Sequence, residues 1–182
     1  MKGQEEARRL LDEADLLCPQ EQVEKAVATM AGEITRSLGT EFPIVLSVMG
    51  GAAVFTGQLL PRLNFPLEFG AIEVTRYNND IQGREITWRL PPRDNVRGRT
   101  VLVVDDILDE GITLAAIEKK LKEMGAARVL AAVFCEKDLG RAKPVKADFV
   151  GIKVPNRYVF GFGMDAYGLW RNLPAIYALK GS

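Results

Sequence analysis

The segment 101–113 concentrates the side chains that could do chemistry. Val101, Leu102, Val103 and Val104 form a continuous apolar run, which reads as a parallel strand buried on both faces. The run ends in Asp105 and Asp106, followed by a short loop with Asp109, Glu110 and Gly111, and by Ile112 and Thr113 where a helix opens. Ionised carboxylates only accept hydrogen bonds, so two adjacent ones suit a partner that donates them, such as a polyhydroxylated sugar. The helix carries Leu114, Ile117, Leu121 and Met124 on one face. Its leading N–H groups lack partners within the helix and point back over the strand end, where they attract phosphate. Paired aspartates alone also end strands in receiver domains and other doubly wound folds. Adding Asp109, Gly111 and Thr113 favours a ligand with both hydroxyls and a phosphate.

Periodicity supplies the elements that must hold this segment. Residues 1–17 are charged, with Leu10, Leu11, Leu16 and Leu17 as their strong apolar positions, and are expected to form a short helix docked on the body. From Pro19 on, Val23, Val27, Met30, Ile34 and Leu38 recur at helical spacing and Gly39 supplies a stop, predicting a helix that covers a sheet. Residues 43–48 read as a short buried strand ending at Met49, Gly50 and Gly51. The two glycines permit either a close backbone approach to a ligand or a plain tight turn, and a helix follows to about Leu60. Residues 67–76 and 85–89 read as a hairpin whose polar tip, 77–83, is long and mobile, although a solvated surface hairpin fits as well. Further strands are expected over 128–135 and 147–152. This alternation predicts an α/β fold, a central parallel sheet flanked by helices, with ligands outside the carboxyl ends of its strands. A single domain over 1–182 is expected, with a core over about 19–152 and a small hood over about 153–182 to which residues 1–18 can contribute.

Composition narrows the chemistry. Twenty-four basic residues balance twenty-four acidic ones, which argues against a dedicated nucleic-acid or anionic-membrane surface. The chain contains no histidine, so His-based triads, His metal sites and imidazole proton transfer are excluded, leaving carboxylate, lysine or tyrosine for proton transfer. Cys18 and Cys135 are far apart in sequence, and Cys135 ends an apolar run where a buried reduced thiol is expected. No signal peptide or membrane-spanning stretch is legible, which points to the cytoplasm. The run 153–165 is too rich in glycine and aromatics for a simple helix or strand and suits a folded-over lid.

Taken together these segments resemble the type I phosphoribosyltransferase family, and within it the hypoxanthine-guanine phosphoribosyltransferases. Segment 101–113 resembles the family's phosphoribosyl pyrophosphate (PRPP) motif, and the strand, glycine pair and helix around Gly50 and Gly51 resemble its pyrophosphate loop. The run from Tyr158 through Val159, Phe160, Gly161, Phe162, Gly163 and Met164 to Asp165, with Tyr167, Trp170 and Arg171, resembles the purine-binding hood and is the most specific part. The likeness runs from about Val45 to the C-terminus, and the separations of Asp109 from Lys137 and of Lys137 from Asp165 are both 28 residues, close to the family arrangement.

The resemblance implies a fold with a flexible β-hairpin loop and a C-terminal hood. It implies that Asp105 and Asp106 hold the ribose hydroxyls, and that the loop of Asp109, Glu110, Gly111, Ile112 and Thr113 wraps the 5′-phosphate. Asp109 also becomes the catalytic acid/base. Met49, Gly50, Gly51 and Arg171 would receive pyrophosphate, with a cis peptide at Val48–Met49, and Arg76 and Tyr77 would sit on the closing loop. Lys137, Tyr158, Val159 and Asp165 would bind the purine, Tyr158 by stacking and Lys137 by donating to a 6-oxo group. Asp165 would hold Mg²⁺ through water, the ion being carried mainly by substrate. Residue types alone equally describe Tyr158 as core, Lys137 as a solvated lysine and Asp165 as a turn acid; their joint register with the PRPP motif lifts them. Two positions depart from the family, Met49 where many relatives carry Lys or Arg, and Glu110 where Thr or Ser is usual. Glu110 is expected to point to solvent, because an anion beside phosphate is unfavourable.

The implied activity is Mg²⁺-dependent transfer of ribose 5-phosphate from PRPP to hypoxanthine or guanine, with no nucleic-acid or membrane partner and with assembly as a homodimer or homotetramer. The alternatives are a phosphoribosyltransferase for xanthine or adenine, or an RNA-binding regulator on the same fold. If Asp109 is the acid/base, Asp109→Asn cuts kcat by roughly 10²- to 10⁴-fold with PRPP affinity little changed, which steady-state kinetics measures. A near-wild-type kcat would remove Asp109 from that role.

Overall fold

The structure is a computed structural model that describes residues 3–76 and 86–181. In chain order its elements are α1 (Gln4–Asp12), β1 (Asp15–Cys18), α2 (Gln20–Leu38), β2 (Ile44–Met49), α3 (Ala53–Leu59), β3 (Glu68–Arg76), β4 (Ile86–Leu90), β5 (Thr100–Leu108), α4 (Ile112–Glu123), β6 (Arg128–Lys137), β7 (Phe149–Val154), β8 (Val159–Phe160) and β9 (Ile176–Ala178). Six strands form one sheet in the order β4-β3-β2-β5-β6-β7, parallel throughout except for the antiparallel hairpin of β3 and β4. This is the α/β architecture that the alternation of strands and helices predicts. Tyr77 lies outside the described residues; Arg76 ends β3.

Successive residues of a strand face opposite sides, so the apolar runs fill two cores at once. Val45, Leu102 and Val104 pack with Val23, Val27, Met30, Ile34 and Leu38 of α2. Ile44, Leu46, Val101 and Val103 pack on the other face with Leu114, Ile117 and Leu121 of α4. Both cysteines are buried and free.

The order of strands creates the site. From β2 the chain moves to β3 on one side, and β5 later inserts on the other, so the strand order reverses between β2 and β5. Ligands of open α/β sheets bind in the crevice at such a reversal. Pairing of β2 with β5 stops at Ser47 with Val104, whereas β5 stays paired to β6 as far as Leu108 with Glu136. Beyond Val104, β5 therefore has an open edge toward the end of β2. The strand also continues through Asp105 and Asp106, rather than ending at them, because β6 keeps supplying backbone partners. Helix α4 begins at Ile112, with Gly111 as its N-cap at φ 82°, so a left-handed glycine and not Thr113 opens it.

A second sheet, β1-β9-β8, joins the two ends of the chain. The single helix expected over 1–17 is instead a helix followed by a strand, because Leu16 and Cys18 pair with Tyr177 and Ile176 of β9. Arg157 donates to Asp15 Oδ2 and to the Leu179 carbonyl, each at 2.7 Å, and Trp170 Nε1 donates to the Ala7 carbonyl at 2.9 Å. Three buried rings then tie this sheet to the main body. Phe134 of β6 lies 5.3 Å from Phe55 of α3 and 4.5 Å from Phe162 between β8 and β9.

Phe162→Ala would leave a cavity at that junction and is expected to cost about 3–5 kcal/mol. At roughly 2–4 °C per kcal/mol for a chain of this size, calorimetry should record a Tm lower by about 6–20 °C. A shift of less than about 2 °C would mean that the ring contributes no such junction.

Candidate active site

The end of β2 and the end of β5 meet almost without clearance. A Cβ on Gly51 would lie 1.8 Å from Asp106 Oδ2, so only glycine lets this backbone pass the carboxylate. On its other side, Gly51 abuts the hood: a Cβ on Gly163 would lie 2.0 Å from the Gly51 carbonyl oxygen, and Gly163 has φ 103°, a region open to glycine. Gly163 is held by Arg171, whose backbone carbonyl accepts from Gly163 N at 2.9 Å and whose guanidinium donates to the Gly163 carbonyl at 2.6 Å. The same guanidinium contacts Asp165 Oδ1 at 2.5 Å, and Asp165 Oδ2 accepts from Gly168 N at 2.6 Å.

Two adjoining cavities result. One, of about 370 Å³, is lined by Gly50, Gly51, Asp105, Asp106, Thr113 and Arg171. The other, of about 210 Å³, is lined by Asp109, Lys137, Tyr158, Val159, Met164 and Asp165. Asp106, Asp109 and Asp165 border both. Between them Lys137 Nζ donates to Asp109 Oδ2 at 2.7 Å. Lys137 is only 12% exposed against 41% for Asp109, so this lysine is not a solvated surface cation. Its stem follows β6 into the site, and its head is neutralised at the cavity wall. Tyr158 stacks on Tyr167 with ring centroids 5.6 Å apart and planes 19° from parallel.

Burial pushes the Asp106 carboxyl above the ordinary carboxylate range, opposed by its hydrogen bonding with Asp105 and by Arg171. Burial, and secondly the charge of Asp106, push the Cys135 thiol well up as well, which keeps it an inert apolar neighbour. The crevice is therefore a low-dielectric place holding a carboxylate, suited to a ligand that arrives with hydroxyl donors.

The structure brings Asp105, Asp106, Asp109, Gly111, Thr113, Met49, Gly50, Gly51, Lys137, Tyr158, Val159, Asp165 and Arg171 to these two cavities. Ile112 supplies the first residue of α4, whose start no side chain caps. Glu110 corrects its expectation: it is 31% exposed and lies 3.6 Å from Arg141, drawn to a cation rather than simply into solvent. The cis peptide is also displaced by one residue, standing at Met49–Gly50 and not at Val48–Met49. Met49 is exposed and brings no charge, leaving Arg171, among the described residues, as the cation that lines the first cavity. Met164 and Ile107 line the second cavity without having been singled out from the sequence. Met164 occupies the hydrophobic position before Asp165 in the hood pattern, a signal that was present; Ile107 carried none.

Residues 15–167 match the family described as phosphoribosyl transferase domain. The chain is 34% identical to a hypoxanthine-guanine-xanthine phosphoribosyltransferase of Tritrichomonas foetus over 92% of each chain. It is 31% identical to a hypoxanthine-guanine phosphoribosyltransferase of Bacillus subtilis, over 91% of this chain and 92% of that one. A crystal structure of a hypoxanthine-guanine phosphoribosyltransferase from Bacillus anthracis superposes with a TM-score of 0.84 at 26% identity, covering 91% of this chain and 98% of that one.

The buried Asp106 carboxyl has a measurable consequence. The folded chain binds this proton more tightly than the unfolded chain, so stability contributed here falls as pH rises from the ordinary aspartate value, about 4, through the raised one. Asp106→Asn is expected to raise Tm at pH 8, with the gain shrinking toward zero at about pH 4. An equal gain at both pH values, or none at pH 8, would show that the carboxylate is not destabilised by its burial.

Proposed function

The chain belongs to the phosphoribosyl transferase family, and from that premise we propose that it is a purine-salvage transferase, moving ribose 5-phosphate from PRPP to N9 of hypoxanthine or guanine. The products are IMP or GMP and pyrophosphate. The observation that carries this reading is the Lys137–Asp109 pair at 2.7 Å beside Tyr158. O6 and N7 lie together on one edge of a 6-oxopurine. A lysine donor and a carboxylate side by side match that edge, and a tyrosine ring beside them offers a stacking face.

The residues divide the work. Asp105 and Asp106 accept from the ribose hydroxyls, and the start of α4 after Gly111 takes the 5′-phosphate. As N9 forms its bond to C1′, the C1′–oxygen bond breaks and its electron pair leaves with pyrophosphate. Asp109 receives the N7 proton, while Lys137 holds O6. Positioning, exclusion of water and charge stabilisation supply the acceleration. Arg171, released in part from Asp165, and the backbone at Gly50 and Gly51 face the leaving group.

The donor set fits Mg²⁺ carried by substrate. Among the described residues no group of three or more His, Cys, Asp or Glu is arranged to ligate a metal directly, yet Asp105, Asp106 and Asp165 border one cavity. Mg²⁺ binds through few carboxylates, keeping waters and phosphate oxygens, and Asp165 would hold it through water. Once bound, the ion offsets charge on the pyrophosphate. The reading extends to a homodimer or homotetramer in the cytoplasm; among the described residues no helix is long and apolar enough to cross a membrane. The balanced charge gives an RNA-binding role no support.

The test is a panel of hypoxanthine, guanine, xanthine, adenine and uracil with PRPP and Mg²⁺, read as nucleotide formed. Hypoxanthine or guanine should react fastest. Turnover of adenine alone, or of no base, would overturn the assignment. Xanthine belongs in the panel because the Tritrichomonas foetus relative is named for it. In the same assay Lys137→Met should lower activity on hypoxanthine and raise the adenine-to-hypoxanthine ratio by about 10²-fold, since adenine presents a donor to the lysine. Equal loss on both bases would assign base choice to the hood backbone at Val159.

A further inference from the structure

Lys143, in the connection from β6 to β7, has no part in the chemistry above, yet its side chain is only 8% exposed. Its ammonium donates to the Leu108 carbonyl at 2.8 Å and to the Lys137 carbonyl at 2.6 Å, with Glu136 Oε1 at 3.8 Å. A cation in so closed a place is costly without partners, and here two main-chain oxygens supply most of them. Those two carbonyls are not arbitrary. Leu108 is the residue before Asp109, and Lys137 is the other half of the pair. The ladder between β5 and β6 has its last rung at Leu108 with Glu136, so past that point nothing in the sheet fixes one strand end against the other.

The neighbouring residues of the same connection press on the same loop. A Cβ on Gly111 would meet Val145 at 3.2 Å and Pro144 at 3.3 Å, and Arg141 reaches Glu110. Segment 141–145 thus lies along segment 108–111, with Lys143 as its one buried charge. We propose that Lys143 is a positioning residue that fastens the carboxyl ends of β5 and β6 and so sets the separation of Lys137 and Asp109. It acts through those two residues and touches neither the base nor PRPP. The proposal deepens the reading of the site as a purine phosphoribosyltransferase and rests on it for its kinetic test, but not for its structural one.

The experiment is a double-mutant cycle of Lys143→Met and Lys137→Met, with kcat/KM for hypoxanthine and for adenine and a Tm for each variant. Misplacing a catalytic pair by about 1 Å can cost around 10²-fold. Lys143→Met alone should therefore lower kcat/KM for hypoxanthine by roughly 10- to 100-fold, yet cost less than about threefold once Lys137 is already methionine, because groups in one network are not additive. The same fold loss in both backgrounds, or a lower Tm with unchanged kcat/KM, overturns the proposal. Lys143→Gln keeps a donor for one carbonyl; it should fall between wild type and Lys143→Met, and it decides the cycle if Lys143→Met does not fold. A crystal structure of the variant that folds tests the same idea independently of turnover. Lys137 Nζ and Asp109 should separate beyond hydrogen-bond reach, and a pair still in contact overturns the proposal even if the wild type uses none of the bases.

Discussion

The passage of the Gly51 backbone between the Asp106 carboxylate and Gly163 is the constraint on which the site depends. Neither contact leaves room for a methyl group. It brings together three parts of the chain: the turn after β2, the end of β5 and the hood. Because the turn is clamped from both sides, Gly50 and Gly51 are held at the wall of the first cavity. In the proposed role of receiving pyrophosphate, backbone donors fixed in this way need no rearrangement when charge develops on the leaving group.

Holding a carboxylate there has an electrostatic cost, visible in the raised proton affinity of Asp106. In the proposed reading the cost lies in the direction that favours binding, since ribose hydroxyls would donate to a group otherwise short of solvent. The other charges of the site are arranged differently. Lys137 is paired with Asp109, and Arg171 with Asp165. Each pair is a self-neutralised unit, and in the proposed reading its partners exchange one another for substrate, the base edge at the first and the phosphates at the second. Arg171 also donates to the Gly163 carbonyl, so the proposed pyrophosphate contact and the clamp on Gly51 share one side chain.

The hood is anchored by two unlike means. Its rings enter the main core through Phe162 against Phe134, a non-directional apolar contact. Its edge is fixed by backbone pairing of β9 with β1, and by Arg157 with Asp15, which recruit the start of the chain. Burial sets its depth, and hydrogen bonding sets its register. Both matter for Tyr158 and Val159, which border the second cavity directly where β8 begins.

What the sequence determined by itself was whatever is local. The run from Val101 to Val104 announced a strand buried on both faces, and the apolar spacing of α2 and α4 announced the helices that cover it. Asp105, Asp106, Asp109, Gly50 and Gly51 stood out because their types limit what they can do, and the absence of histidine left carboxylate chemistry in its place. Tertiary structure decided what depends on distance between remote segments. Leu16 reads as part of an N-terminal helix until β9, at the other end of the chain, supplies the partner that makes it a strand residue. Lys137 is indistinguishable from a surface lysine by residue type, and only the folded ends of β5 and β6 bring its head to Asp109. Lys143 and the Glu110–Arg141 pair were invisible for the same reason, since a charged residue in a loop reads as solvated unless another segment closes over it. Residue type sets what a group can accept or donate; which group lies opposite is set by packing alone.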